Sequence, residues 1–313
     1  MLTTDKMKII TSSQNIKEID ATKFKEVYIN GVLKHYTFNQ KIPYLLNLKV
    51  NLEKEELVIE WTSKILRDKY FDFITKDTVK ECLNNINATN IINIDIDSVI
   101  RDSVVVKCDI TFDILTDWDV KEYITFLQAS IKNSKKWRDK RYRNGNLVIE
   151  NVVGNQKYHK RVSIYGKEKE MNLKSNLPFL NTLSNPSLIK GLAKRRVRFE
   201  LNLNTIYSIK KELQINDTSL VTVLNSTATP LERLVNEIFD VNTDYNITEK
   251  NEYINLLILK DNDFDIDKVR KRLQRFYSPL TKMSNVIRPI QLTKKKHENT
   301  KCEIQNITFR FNT

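Results

Sequence analysis

Two short segments place a tyrosine, carboxylates and arginines at spacings that suit phosphodiester chemistry. Lys160-Arg161-Val162-Ser163-Ile164-Tyr165-Gly166-Lys167-Glu168-Lys169-Glu170 alternates polar and apolar residues, as does Arg195-Arg196-Val197-Arg198-Phe199-Glu200-Leu201-Asn202-Leu203. Period-two alternation predicts strands. Arg161, Ser163 and Tyr165 then share one face, and Arg196, Arg198, Glu200 and Asn202 share another. A phenol with an ordinary pKa near ~10 is a poor nucleophile at neutral pH, so a neighbouring cation is needed to favour its ionised form. Lys167 returns to the face of Tyr165 if the strand continues, and Arg161 lies on it too. A hard divalent ion held by two or three carboxylates would polarise the phosphate. Asp109 and Asp113 on an upstream strand, Glu200 on the second segment and Glu60 on a third strand occupy polar faces, and Glu170 follows the tyrosine by five residues. Any antiparallel sheet with a wet face shows such alternation, and buried tyrosines are commoner as core than as nucleophiles. What selects the chemical reading is the coincidence of acid, acid, tyrosine and acid beside the most basic segment.

Other chemistries lack their residues. There is no Gly-x4-Gly-Lys-Ser/Thr phosphate loop and no dinucleotide fingerprint, which argues against a nucleotide-driven motor. His35, His159 and His297 are too scattered to assemble a zinc site or a His-x-His metal pair. Cys82, Cys108 and Cys302 are too widely spaced for a disulfide framework or a zinc knuckle.

Charge is segregated along the chain. Residues 1–131 carry a net −3, residues 132–211 +15, residues 212–267 −9 and residues 268–313 +10, within a total of +13. Segregation on this scale implies a polyanionic partner. Lys135, Lys136, Lys160, Arg161, Lys194, Arg195, Arg196 and Arg198 are the candidate phosphate contacts in the central block. Lys271 and Arg272 belong to the polar face of a helix predicted over 265–277, whose apolar stripe is Ile266, Val269, Leu273 and Phe276. Trp137 and Tyr142, within the run at 132–143, are placed to stack on unpaired bases or to serve as core.

The elements that must position these residues follow from the same patterns. Asn30-Gly31 after Val27 and Ile29 suggests a hairpin turn. Strands are predicted at 44–50, 57–61, 104–114 and 147–153, and a terminal strand at 305–311. Val79, Cys82, Leu83 and Ile86 mark a helix capped by Asp77, and Val120, Tyr123, Ile124, Leu127 and Ile131 one capped by Asp117 or Asp119. Thr229-Pro230-Leu231-Glu232 reads as another helix start. The expected class is α+β: a mixed, largely antiparallel sheet with helices on one face and an open polar catalytic face, then a mainly helical C-terminal region. Residues 1–215 would form the catalytic domain and residues 216–313 a DNA- or partner-binding region.

Val106-Lys107-Cys108-Asp109-Ile110-Thr111-Phe112-Asp113, then Arg161-Val162-Ser163-Ile164-Tyr165-Gly166-Lys167-Glu168-Lys169-Glu170, then Val197-Arg198-Phe199-Glu200-Leu201 resembles the rolling-circle replication initiators. The likeness is to those of small Gram-positive plasmids and of filamentous phages and related plasmids. Val58-Ile59-Glu60-Trp61-Thr62-Ser63-Lys64-Ile65-Leu66 looks like an upstream strand of that family, and the resemblance spans roughly residues 44–204. It implies a site-specific DNA nickase and strand transferase. Tyr165 would be the nucleophile that stays on the 5′ phosphate and frees a 3′ hydroxyl primer, with Lys167 as its electrostatic partner. Asp109 and Glu200 would lead the ligands of Mg²⁺ or Mn²⁺, with Glu170, Asp113 and Glu60 as further candidates. Implied partners are a replication origin, single-stranded or melted, and a polymerase; the acidic residues 212–267, by their charge, suggest a homodimer contact or a host helicase.

No apolar run approaches ~20 residues, so no membrane span is expected. Met1-Leu2-Thr3-Thr4-Asp5-Lys6 lacks the pattern of a secretory signal, which with the resemblance places the expected site of action in a bacterial cytoplasm. Two other functions fit part of the pattern: a non-catalytic DNA-binding regulator with the same fold, and a tyrosine recombinase, which attaches to a 3′ phosphate and requires an Arg/His set that three scattered histidines hardly supply.

Overall fold

A computed structural model describes residues 1–38, 40–117, 119–131, 136–152, 160–239, 250–262 and 265–298. Lys135, His159, Cys302 and the terminal strand expected at 305–311 lie outside the described residues. The chain divides into two compact units, one of Met1–Ile124 with Lys135–Val235 and one of Thr125–Ser134 with Asn236–Asn312.

The first unit is α+β and is built on a ten-stranded sheet whose pairings are all antiparallel. β1 (Thr4–Ser12) lies at its centre. After the short β2 (Ile16–Ile19), the chain runs to the sheet edge and returns as a meander of β3 (Phe24–Ile29), β4 (Val32–Phe38), β5 (Leu45–Asn51) and β6 (Glu56–Thr62), which pairs with β1. Asn30 and Gly31 turn the β3–β4 hairpin with φ of 52° and 75°, the left-handed values that Asn-Gly tolerates. A 3₁₀ segment (Ser63–Asp72), α1 (Val79–Asn87), β7 (Ile92–Ile94), which pairs with β2, and α2 (Ile96–Asp102) lead back to the centre.

The course then repeats. β8 (Val104–Leu115) pairs with β1, and α3 (Val120–Ala129) follows it. A second meander of β9 (Trp137–Arg141), β10 (Leu147–Asn151), β11 (Arg161–Gly166) and β12 (Arg196–Leu203) starts at the opposite edge and returns to pair with β8. The strand order β3-β4-β5-β6-β1-β8-β12-β11-β10-β9 therefore reads alike from either edge. Each half is one central strand followed by a four-strand return, and the two halves meet at the antiparallel β1–β8 pair.

One face of the sheet is apolar: Met7, Ile9, Ile59, Trp61, Val162, Ile164, Val197, Phe199 and Leu201 are wholly buried. α2 lies against β1, and after β12 come α7 (Ile206–Leu213), against β8 and β12, and α8 (Leu220–Leu224), against β8. α9 (Pro230–Ile238) opens with proline at its first position and buries Leu231, Leu234, Val235 and Ile238. α7 and α8 pack on the sheet, and the first unit runs to Val235.

The polar face is not bare. The strand expected to run through Lys167 stops at Gly166, and Lys167–Met171 forms α4. Lys-Glu-Lys-Glu-Met is a run of strong helix formers, which outweighs the alternation on the short piece after the glycine. The segment read as a polar link then folds into α5 (Leu177–Leu180) and α6 (Pro186–Ala193). These helices and the 3₁₀ segment share a small core of Tyr70, Met171, Phe179, Leu180, Leu183, Ile189 and Ala193. This layer roofs the polar face near β11, β12 and β8. At α1 the N-cap is Thr78 and not Asp77, and the hydroxyls of Thr75 and Thr78 satisfy the turn's amides. Asp119 accepts from the amide of Glu122 at the start of α3.

The second unit contains α10 (Lys250–Lys260), α11 (Ile266–Leu273) and α12 (Met283–Glu298) around a core of Leu256, Leu259, Val269, Ile287 and Ile290. Among the described residues no helix is long and apolar enough to cross a membrane.

Candidate active site

The site is assembled by strand register. β11 and β12 pair Tyr165 with Arg198 and Ser163 with Glu200, and β12 and β8 pair Arg198 with Asp113, Glu200 with Thr111, and Asn202 with Asp109. Cross-strand partners point to the same side, so Tyr165, Arg198, Asp113, Glu200 and Asp109 share the polar face. β1 continues the row, because Asp109 is also opposite Lys6. A register shift between Thr4 and Lys6 puts a bulge at Asp5, and the Asp5 carboxylate joins the polar face.

Arg198 is the hub. Its guanidinium is fully buried and donates through Nε to Asp113 Oδ1 at 2.7 Å, through Nη2 to Asp113 Oδ2 at 2.9 Å, and through Nη1 to Asp5 Oδ1 at 2.7 Å and Tyr70 Oη at 2.9 Å. A forked, fully paired guanidinium is the form in which a buried arginine is stable. Burial pushes the Asp5 carboxyl up, but Arg198, Lys167 and the Ser63 hydroxyl (2.5 Å) outweigh it and hold the acid below its ordinary range.

Tyr165, half-buried on β11, donates its hydroxyl to Glu200 Oε1 at 2.5 Å. Burial, then the nearby charge of Asp5, pushes the Glu200 carboxyl up to about 7. Burial and the Glu200 charge also push the Tyr165 phenol well above its ordinary value, so the resting pair is a neutral phenol donating to a carboxylate. In place of the expected cation-favoured phenolate there is a phenol hydrogen-bonded to a carboxylate that titrates near neutrality.

Lys167 reaches this centre from α4 and not from a strand face. Its ammonium is buried, 2.9 Å from Glu170 Oε2 and 5.3 Å and 4.9 Å from the ring centres of Tyr165 and Tyr70. Burial and the neighbouring Arg198 make it more acidic than a free lysine. Burial raises Glu170, but Lys167 and Lys64 reverse the effect, and Asn176 donates to Glu170 Oε1 at 2.8 Å. Gly166 permits the approach of α3: a Cβ there would lie 2.6 Å from Val120 Cγ1.

The remaining carboxylates stand apart. Asp109 is one row from Glu200 on the same face. Burial raises its carboxyl, and its Oδ1 has no hydrogen-bond partner among the described residues. Glu60, on β6, is held by Lys6 at 2.8 Å and Lys8 at 3.7 Å. Asp113 is engaged by Arg198 and by Arg196 (3.2 Å), Glu170 by Lys167, and Glu200 by Tyr165. Among the described residues no three Asp, Glu, His or Cys side chains gather as a metal-holding group. The five acids expected to hold Mg²⁺ or Mn²⁺ do not fit that role as arranged, because four are already neutralised or hydrogen-bonded and the fifth is in the next row.

The basic residues separate into buried and exposed sets. Arg198 is interior and cannot reach a phosphate on the surface. Arg196 pairs with Asp113 and stacks 4.5 Å over Phe71, and Lys160 is 3.1 Å from the buried Glu212. Lys136, Arg161, Lys194, Arg195 and Lys271 are exposed, as is Arg272, 3.4 Å from Asp261. Arg161 lies 3.7 Å from Glu150 and Arg195 3.8 Å from Asp117. Trp137 is 2 % exposed, so it is core and no base can stack on it, whereas Tyr142 is exposed beside Lys140.

Comparison with family models, curated proteins and solved structures gave no match to this chain.

Asp5 and Tyr70 were missed by sequence reasoning. Met7, Ile9 and the flanking lysines alternate, a signal that would have put a strand beside Asp5, but its inward turn depends on the bulge. Tyr70 sits in a 3₁₀ stretch with no period to find.

Proposed function

We propose that this protein nicks one DNA strand and transfers it, with Tyr165 as nucleophile and Glu200 as general base, as an initiator of rolling-circle replication would. The Tyr165–Glu200 hydrogen bond carries the reading. A carboxylate whose proton affinity lies near neutrality, aimed at a phenol, is the arrangement that activates such a nucleophile at physiological pH. The Tyr165 oxygen bonds to phosphorus, its proton passes to Glu200, and the bond from phosphorus to the 3′ oxygen breaks. The 3′ oxygen takes up a proton and becomes the primer hydroxyl, while the 5′ phosphate stays on the tyrosine. Lys167, over the Tyr165 ring, supplies positive charge beside the developing phosphorane. Exposed Lys136, Arg161, Lys194 and Arg195 suit the flanking phosphates.

The test uses a random pool of single-stranded oligonucleotides labelled at either end, with Mg²⁺, with Mn²⁺ and with chelator. The expected product is a detergent-resistant protein–DNA adduct carrying the 3′-end label, absent for Tyr165→Phe. An adduct carrying the 5′-end label instead indicates recombinase-type chemistry. No adduct in any arm refutes the nickase. The full pairing of Arg198 with Asp113, Asp5 and Tyr70 favours a second reading, in which the cluster is a structural centre of a DNA-binding regulator. That reading expects equal DNA binding by wild type and Tyr165→Phe, and no adduct.

A further inference from the structure

The link between α11 and α12 carries apolar side chains that the core of the second unit does not use. Leu273, at the end of α11, and Met283, at the start of α12, pack against that core, so both ends of the link are pinned. Between them Phe276, Tyr277 and Leu280 face solvent, Phe276 being 78 % and Leu280 94 % exposed. The link is nonetheless hydrogen-bonded: the Thr281 amide donates to the Ser278 carbonyl at 2.8 Å, and the Leu280 amide to the Ser278 hydroxyl at 3.3 Å. Ser278-Pro279-Leu280-Thr281 is therefore a tight turn with proline second and Leu280 at the outer corner, a place where water favours Gly, Asn or Asp. Single exposed apolar residues are ordinary, but Phe, Tyr and Leu together on one projection mark a surface for a partner. Its charge is one-sided. Residues 268–298 contain ten Lys and Arg against one acidic residue. Arg275 and Lys282 flank the turn and Lys271 and Arg288 lie on the adjoining helices; all four are exposed and have no acidic partner among the described residues. α12 adds the exposed Leu292.

We propose that this link docks on an anionic lipid bilayer, with Phe276 and Leu280 entering the acyl boundary, Tyr277 at headgroup level, and Arg275, Lys282, Lys271 and Arg288 against the lipid phosphates and carboxylates. Interfacial anchoring needs apolar side chains that reach below the headgroups and cations that stay among them, and this turn offers both within one short segment. Tyrosine suits the level between, where one end of the ring is apolar and the other wet. Nucleic acid would use the cations and could stack on the two rings, but it gives Leu280 nothing to bury against. A protein groove would have to supply an acid for each unpaired cation around a narrow apolar tip, whereas an anionic bilayer presents diffuse negative charge with apolar depth directly beneath it. The proposal is independent of the nicking chemistry, since no residue of the Tyr165 centre takes part in it.

The test is flotation of the full chain with vesicles of phosphatidylcholine alone and of phosphatidylcholine and phosphatidylserine in equal parts. Binding is expected to the mixed vesicles, to weaken as salt is added, and to be much poorer on phosphatidylcholine. The double variant Phe276→Asp, Leu280→Asp changes only exposed side chains, so the fold is kept, and binding should fall at least about ten- to hundredfold. Arg275→Gln and Lys282→Gln should each cost about fivefold on the mixed vesicles. Phe276→Trp gives a readout of depth: its added emission should shift to the blue on mixed vesicles and be quenched by lipids brominated on their acyl chains. Failure to float with the mixed vesicles overturns the proposal, as does equal flotation of the double aspartate variant. A tryptophan at 276 that brominated lipids leave unquenched, but that a single-stranded oligonucleotide quenches, overturns it in favour of nucleic acid. Adduct formation on oligonucleotides in the absence of lipid is untouched by any of these outcomes, so the two proposals fail separately.

Discussion

Replacing Glu200 by Gln tests the base and its cost together. Gln is nearly isosteric and its oxygen still accepts the Tyr165 hydroxyl, but it cannot take a proton. A general base contributes about 10²–10⁴-fold, so under the proposed role nicking by Glu200→Gln should fall by that factor and lose the rise in rate with pH centred on about 7. Stability moves the other way. The carboxyl titrates at about 7 in the folded chain and at its ordinary 4.5 when unfolded. Below 4.5 both states are protonated and the pair of proteins is equally stable. Between 4.5 and 7 the unfolded chain releases its proton first, so wild-type stability falls as pH rises, and above 7 the penalty is constant. At about 1.4 kcal/mol per pH unit the full effect is on the order of 3 kcal/mol. Urea unfolding from pH 4.5 to 8.5 should therefore show Glu200→Gln gaining on wild type as pH increases. Parallel stability curves, or nicking within a factor of ten of wild type, would refute the assignment.

Lys167→Met keeps the buried volume but leaves Glu170 with Lys64 as its remaining cation and the Asn176 amide. Nicking should fall at least about tenfold, and stability by a few kcal/mol, less than the 3–5 kcal/mol typical of breaking a wholly buried pair, both readable in one preparation by adduct gels and urea melts. Arg198→Ala removes the guanidinium that Asp113 and Asp5 share, leaving Asp113 to Arg196 and Asp5 to the more distant Lys167, and should cost about 3–5 kcal/mol at pH 7. Because Asp5 is held below its ordinary 3.8, part of that loss should vanish in melts recorded as pH falls below this value. Gly166→Ala drives a methyl against Val120 and should destabilise by about 1–3 kcal/mol, with Val120→Ala restoring much of it in the double mutant.

The sheet was readable where alternation is strict. β8, β11 and β12 and their shared polar face follow directly from residue order, which put Tyr165 and Glu200 on one surface but did not bring them into contact. What sits above them was not. Lys167 was assigned to the right centre by the wrong geometry, since a strand period and a helix start both bring it towards Tyr165. The acids were legible as polar-face residues, but their partners were not: pairing of Asp113 with Arg198 is a matter of register across β12, which one strand's pattern does not specify. Phe276 fits an apolar stripe by spacing and yet is exposed, because the α-helix ends at Leu273 and the phase is lost.

The repeated plan of the sheet has a consequence for how this chain could have arisen and changed. A single ancestral five-stranded unit, paired with its own copy edge to edge, would already have had the whole architecture, with β1 and β8 covering each other. Fusion of two such copies frees one to diverge. Here the later half carries Tyr165 and Glu200, while the earlier one contributes Asp5 and, after its meander, Ser63, Lys64 and Tyr70, so mutations tolerated in the first meander should outnumber those tolerated in the second.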